Sequence, residues 1–273
     1  MIFLVIFSVI LLLIIAYLFM IDGRRNAAGF EKLEGTYYAH RGLHKKPTIP
    51  ENSLAAFRLA AKKGYGAEFD VHLMADGNLA VIHDDSLLRT AGEDVNIEDL
   101  SVGDLGKYTL EESNEKIPLF TEVLEVFRGK APVIIELKTA NDNAVKLCEA
   151  VFKVLDNYDG DYCVESFDPR CLIWMKKNRP NVIRGQLSQN FLGKGKSSKM
   201  GVAVDFILTN LLTNFLTRPD FIAYEFCDRN KLSNRLCRNL WQIRGASWTI
   251  KTKEDFDVAV KEGYLPIFEQ FEP

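Results

Sequence analysis

Between residues 36 and 269, strand-like runs alternate with longer runs that carry apolar residues at helical spacing, and this alternation limits the fold more than any other feature. Strand-type runs lie at 36–40, 67–73, 133–138, 162–167, 182–187, 221–226, 245–250 and 265–269. Helix-type runs lie at 54–63, 120–127, 144–157, 170–178, 231–240 and 254–262, with an apolar helical stretch ending near Leu216. In the first helix, Asn52 or Ser53 is the cap, Leu54, Phe57 and Ala61 share a face, and Gly64 is the stop. A run at 78–83 follows the turn signal Asp76-Gly77 and reads as the return arm of a hairpin, outside the main series. Eight parallel-type strands with intervening helices predict an α/β fold, a (β/α)8 TIM barrel. Residues 84–118 are polar and irregular, and read as a small insertion over one rim.

The chain opens on an apolar run. Residues 1–20 carry no charge and one polar side chain, Ser8. As a helix this run is about 30 Å long, close to the hydrocarbon thickness of a bilayer. No basic residue precedes it, and Tyr17-Leu18-Phe19-Met20 offers no small-residue cleavage site, so a retained single-pass anchor is expected rather than a signal peptide. Residues 21–35 then form a juxtamembrane linker, and 36–273 the barrel. Arg24, Arg25 and Lys32 follow the run, which places the body on the cytoplasmic side. Five cysteines without metal-type spacing read as reduced thiols in or near the core, in agreement with that side. With 34 basic against 37 acidic residues the net charge is −3, and no basic field recommends nucleic acid as a partner.

All four histidines, His40, His44, His72 and His83, lie in the first third of the chain. In such a barrel the reactive rim forms at the C-terminal strand ends, where His40-Arg41-Gly42, Glu68-Phe69-Asp70 and Glu136-Leu137-Lys138 fall. Residues at i and i+2 share a strand face, so Glu68 points with Asp70 and Glu136 with Lys138. A two-residue turn at Asp76-Gly77 places His83 opposite Asp70. Three converging carboxylates, Glu68, Asp70 and Glu136, repel one another unless a cation sits between them, and oxygen-only ligands favour Mg2+ or Ca2+. Arg41 can grip a phosphate bidentately and Lys138 adds a point charge. His40 and His83 can serve as acid and base across one scissile bond. Together these groups specify hydrolysis or internal transfer at a phosphodiester.

The ordered set His40-Arg41-Gly42, Pro50-Glu51-Asn52-Ser53, Glu68-Phe69-Asp70-Val71, Asp76-Gly77, His83-Asp84, Glu136-Leu137-Lys138 and Ser166-Phe167 resembles the glycerophosphodiester phosphodiesterase family. The resemblance spans about 36–270. It implies a TIM barrel with a small insertion after the His-Asp motif, an acid/base pair at His40 and His83, and metal ligands at Glu68, Asp70 and Glu136. It further implies phosphate-binding and site-ordering roles for Arg41 and Lys138, and a turn at Glu51 and Asn52 that supports the first histidine. Trp248 in Ser247-Trp248-Thr249 is similar to a late family motif. The implied reaction is cleavage of glycerophosphodiesters, with lysophospholipids as a further class, to an alcohol and sn-glycerol 3-phosphate. Where relatives often carry Gly-x-x-Asp-Gly-Ile-x-Thr-Asp, this chain departs with Gly263-Tyr264-Leu265-Pro266-Ile267-Phe268-Glu269.

Other residues receive plainer readings. His44 is a rim residue, His72 a surface or packing residue, and Lys194, Lys196 and Lys199 belong to a solvated loop. The parity of Glu165 leaves open whether it faces the site. Aromatic residues at 120–127 and 211–215 are core or rim packing. Two other functions compete: a phospholipase C- or D-like enzyme on intact phospholipids, and a catalytically silent, membrane-tethered binding protein.

Overall fold

The eight strand-type runs form β1 (Tyr38–His40), β2 (Gly66–Leu73), β4 (Val133–Leu137), β5 (Tyr162–Ser166), β6 (Arg184–Ser188), β7 (Phe221–Glu225), β8 (Arg244–Ile250) and β9 (Tyr264–Phe268), with β3 (Leu79–Val81) as the hairpin arm. The structure, a computed structural model, describes all residues 1–273. Each main strand pairs parallel to its neighbours and β9 closes on β1, so the sheet is a closed eight-stranded barrel with β3 antiparallel on β2. Burial of both faces explains the near-continuous apolar runs; every residue of β4, Val-Ile-Ile-Glu-Leu, is buried.

The helices of the chain are α1 (Ile2–Met20), α2 (Leu54–Lys62), α3 (Leu88–Ala91), α4 (Val102–Leu105), α5 (Phe120–Phe127), α6 (Ala144–Leu155), α7 (Pro169–Asn178), α8 (Val202–Thr209), α9 (Asn214–Thr217), α10 (Leu232–Asn239) and α11 (Lys253–Lys261). Ser53 is the cap of α2, accepting from the Ala56 amide, and Asp168 caps α7 with Pro169 at its first position. The apolar stretch before β7 divides into α8 and α9, because the backbone turns left-handed at Leu211 (φ 57°). α1 is long and apolar enough to cross a membrane. The segment after it is packed rather than free: Ile21, Phe30 and Leu33 are buried, and Arg24 pairs with Asp220. Phe30 and Leu33 join Tyr38, Ile134, Cys163 and Phe221 in a cluster at the N-terminal strand ends, which closes the floor of the barrel.

Three expectations change. The hairpin turn holds three residues, Ala75, Asp76 and Gly77, so His72 pairs with Ala80 and the register runs Asp70 opposite Ile82 rather than His83. Gly77 (φ 81°) takes the left-handed position of a three-residue loop, which the dipeptide alone does not distinguish from a two-residue one. Residues 84–118 are irregular but not coreless, since Leu87, Ile97, Leu100, Leu105 and Ile117 cluster with Met74, Ala80 and Ile82 of the hairpin. Lys196 is not solvated; it bridges Glu225 and Asp228. Four cysteines are buried and Cys227 is exposed.

Candidate active site

The site lies in a cleft of about 870 Å³ whose lining includes His40, Arg41, Glu68, His83, Glu136 and Lys138. β1 ends at His40, after which Arg41 turns left-handed (φ 55°) and Gly42 follows (φ 79°). A Cβ on Gly42 would meet the Ala56 Cβ at 2.9 Å, so the turn needs glycine to fold back onto α2. Asp70 and Glu136 pair in register on β2 and β4, and an oxygen from each of Glu68, Asp70 and Glu136 lies within 4.8 Å of the others. All three are buried, and Glu68 Oε2 has no hydrogen-bond partner. A buried orphan oxygen among three carboxylates fits a divalent cation, for which these are hard oxygen donors.

Charge is distributed unevenly within the trio. Burial, with Asp70, Glu136 and Glu165 nearby, pushes Glu68 well above the usual carboxylate range. Burial also raises Glu136, against the pull of Lys138. Burial opposes the Asp70 charge as well, yet His83, Lys138 and Arg41 hold its pKa below the usual range. Lys138 Nζ lies 3.0 Å from Glu136 and 3.7 Å from Asp70. Burial works against the Lys138 charge, but Glu136 and Asp70 outweigh it and raise its pKa.

His40 and His83 are each held by a carboxylate at Nδ1, which leaves Nε2 free of that contact, and both line the cleft. His83 lies beyond the end of β3 and meets Asp84 at 2.6 Å. His72 Nε2 donates to the His83 carbonyl at 3.3 Å, and its Nδ1 lies 2.7 Å from Glu98 of the insertion. His72 is thus a buried packing residue that fixes the His83 backbone, not a surface one. His40 Nδ1 meets Glu269 at 2.8 Å, and its Nε2 lies 3.8 Å from Glu68. Burial lowers the His40 pKa, only partly offset by Glu269. His44, as the rim position suggests, sits 3.8 Å from the same Glu269.

The turn at Glu51 and Asn52 supports the site differently from the expectation. The Asn52 side chain donates to Asp70 at 2.9 Å, and its backbone amide donates to the Arg41 carbonyl. Glu51 accepts from Arg41 and Arg89 and pairs with Lys46. The imidazole of His40 rests on Glu269 instead. Trp248 donates to the Ala223 carbonyl and stands edge-on to Phe167, forming one wall of the cleft. Glu165 faces inward, in register with Glu136, and burial raises its pKa. Glu269 and Arg89 escaped the sequence reading. Only the Glu in the divergent last strand, where relatives carry a different run, hinted at the former.

Glu51 predicts a stability effect. Its side chain is 7% exposed against 43% for Lys46 and Arg89. Breaking a buried pair costs about 3–5 kcal/mol, and the half-exposed partners reduce this to about 2–3 kcal/mol for Glu51→Ala. Burial opposes its charge, but Arg89, Arg41 and Lys46 depress its pKa. The stabilisation is therefore full above the unfolded pKa of about 4.3 and is lost as pH falls through the folded value. Urea unfolding of the purified chain checks this; equal stability of wild type and variant at pH 7 would contradict it.

Residues 40–264 match the model of the glycerophosphoryl diester phosphodiesterase family. A glycerophosphodiester phosphodiesterase of Caldanaerobacter subterraneus subsp. tengcongensis is 29% identical over 236 residues, 82% of this chain and 89% of its own. A human lysophospholipase D is 34% identical over 116 residues, 38% of this chain and 37% of its own. The Oleispira antarctica phosphodiesterase, solved with its product sn-glycerol-3-phosphate, superposes with a TM-score of 0.69 at 22% identity, over 86% of this chain and 92% of its own. The matched span takes in both histidines and all three carboxylates, and the chain belongs to the glycerophosphoryl diester phosphodiesterase family, a family of phosphoric diester hydrolases.

Proposed function

We propose that this enzyme hydrolyses glycerophosphodiesters, and lysophospholipids as a membrane-borne subset of them, to an alcohol and sn-glycerol 3-phosphate, using His40 and His83 and a divalent cation held by Glu68, Asp70 and Glu136. The observation that carries this reading is the convergence of two carboxylate-held imidazoles on a buried three-carboxylate cluster flanked by Arg41 and Lys138. Bound there, Mg2+ or Ca2+ would supply positive charge for the phosphoryl oxygens. Arg41, anchored by Glu51, orients the phosphate, while Lys138 adds charge beside Glu136. Water, or first the glycerol hydroxyl of the substrate, attacks phosphorus as one imidazole takes the proton at Nε2. The bond from phosphorus to the alcohol oxygen breaks, and the other imidazole protonates that oxygen.

Lysophospholipids are included because the far wall of the cleft is apolar, with Phe167, Leu187, Phe191, Met200, Val204 and Ile207 facing the hydrocarbon side of such a substrate. The partial likeness to a human lysophospholipase D supports the same class. The deciding experiment is a panel of soluble glycerophosphodiesters, lysolipids and diacyl phospholipids, tested with Mg2+ and with Ca2+ after chelation. Release of sn-glycerol 3-phosphate from the first two groups is expected. Turnover of diacyl lipids alone would favour a phospholipase, and no chelator-sensitive turnover a silent binding protein.

We also propose residues 1–20 as a single-pass anchor, with 21–35 joining it to a barrel of 36–273 on the cytoplasmic side. Arg25 and Lys32 remain on the surface to support that orientation. Exposed Cys227 provides the test. A membrane-impermeant maleimide is expected to label it only after cells are permeabilised; labelling in intact cells would reverse the orientation.

A further inference from the structure

α8 has its polarity inside out. Its outward positions are Val202, Ala203, Phe206 and Ile207, with Val202 75% and Phe206 52% exposed. Its one charged residue, Asp205, turns inward and accepts from the Ser198 amide and the Ser197 hydroxyl. A helix on a water-facing surface carries its charges outward, so this face is built for an apolar neighbour. Exposed Met200 and Leu192 extend it, and exposed Lys194 and Lys199 border it.

What lies beside this face identifies the neighbour. The segment directly after α8 packs on the last turn of α1, where Leu211 and Leu212 join Tyr17, Leu18 and Ile21 in one cluster. Phe215 meets Phe19 at 5.9 Å, and Asn214 donates to the Ile21 carbonyl. Trp241 donates to the Leu18 carbonyl and stacks under Arg25, an arrangement suited to the level of lipid headgroups. The end of the candidate span and the exposed face of α8 are therefore joined by a continuous packed segment. Val204, with Met200 and Ile207 at the edge where the exposed face meets the barrel, lines the catalytic cleft.

We infer that α8 inserts its Val202–Phe206 face into the surface of the bilayer that α1 spans. Lys194 and Lys199 meet anionic headgroups, and α8 forms a wall shared by membrane and cleft. A lipid can then present its glycerophosphoryl group to the histidines while its hydrocarbon chain stays in the bilayer. The inference rests on the proposed diesterase function for its consequence, though not for the placement of the helix.

The test uses the full chain in vesicles of phosphatidylcholine and phosphatidylglycerol with brominated acyl chains. A F206W variant is expected to show bromolipid quenching beyond that of wild type; added fluorescence quenched by aqueous iodide instead would overturn the inference. A V202D/F206D variant, which alters no residue lining the cleft, is expected to lose at least about tenfold in turnover of vesicle-borne lysophosphatidylcholine. Its kcat/KM on soluble glycerophosphocholine should be unchanged. Equal loss on both substrates, or no loss on either, would also overturn it. Should wild type cleave neither substrate, the diesterase reading fails, and the quenching result still decides where α8 lies.

Discussion

Replacing His83 with alanine is expected to lower kcat on a soluble glycerophosphodiester by at least about 100-fold, and replacing His40 to do the same. The reason is positional. Each imidazole is fixed at Nδ1 by a carboxylate, Asp84 for His83 and Glu269 for His40, so each keeps Nε2 free of that contact, and both line the cleft. Neither Arg41 nor Lys138 depends on the histidines for its own contacts, so KM should move far less than kcat. The double variant should lose much less than the product of the single losses, because acid and base act in one reaction as a unit. Steady-state kinetics with thermal melting as a fold check would measure all three. Wild-type kcat in both single variants would sink the proposed chemistry.

The same residues show what was legible in the chain. The barrel was, because strands buried on both faces write themselves as uninterrupted apolar runs, as in β4. So was the inward pairing of Glu136 with Lys138, which needs only the two-residue period of a strand. The route by which His83 arrives was not. Asp76-Gly77 serves a two- or a three-residue loop, and the difference of one residue moves the partner of Asp70 to Ile82. His83 reaches the cleft because it lies past the last paired residue of β3, where Asp84 and His72 fix it. Glu269 was hidden for another reason: its contact with His40 spans 229 positions and depends on β9 closing the barrel beside β1. Arg89 comes from the insertion, where no periodicity assigns direction. Glu165 required its strand neighbour, since parity becomes informative only when register ties it to Glu136.

Removal of divalent cations is expected to abolish turnover, and Mg2+ or Ca2+ to restore it. Glu68, Asp70 and Glu136 cluster within 4.8 Å in a buried site, with Lys138 and Arg41 offsetting only part of their charge. Glu68 and Glu136 have raised pKa values, so without a cation they retain protons to a higher pH than ordinary carboxylates. Cation binding must displace those protons; affinity should therefore rise with pH, and binding should release protons measurable by calorimetry in two buffers of different ionisation enthalpy. Binding also stabilises the fold, by about 2.7 kcal/mol at a cation concentration of one hundred times Kd. A Glu68→Gln variant separates this from a structural role. It should keep the stability of the chelated wild type, since the replaced carboxyl is neutral or repelled there, yet lose both the cation-dependent rise in Tm and the activity. Full turnover after chelation, or a Glu68→Gln variant that Mg2+ and Ca2+ still stabilise and activate, would remove the trio from the reaction.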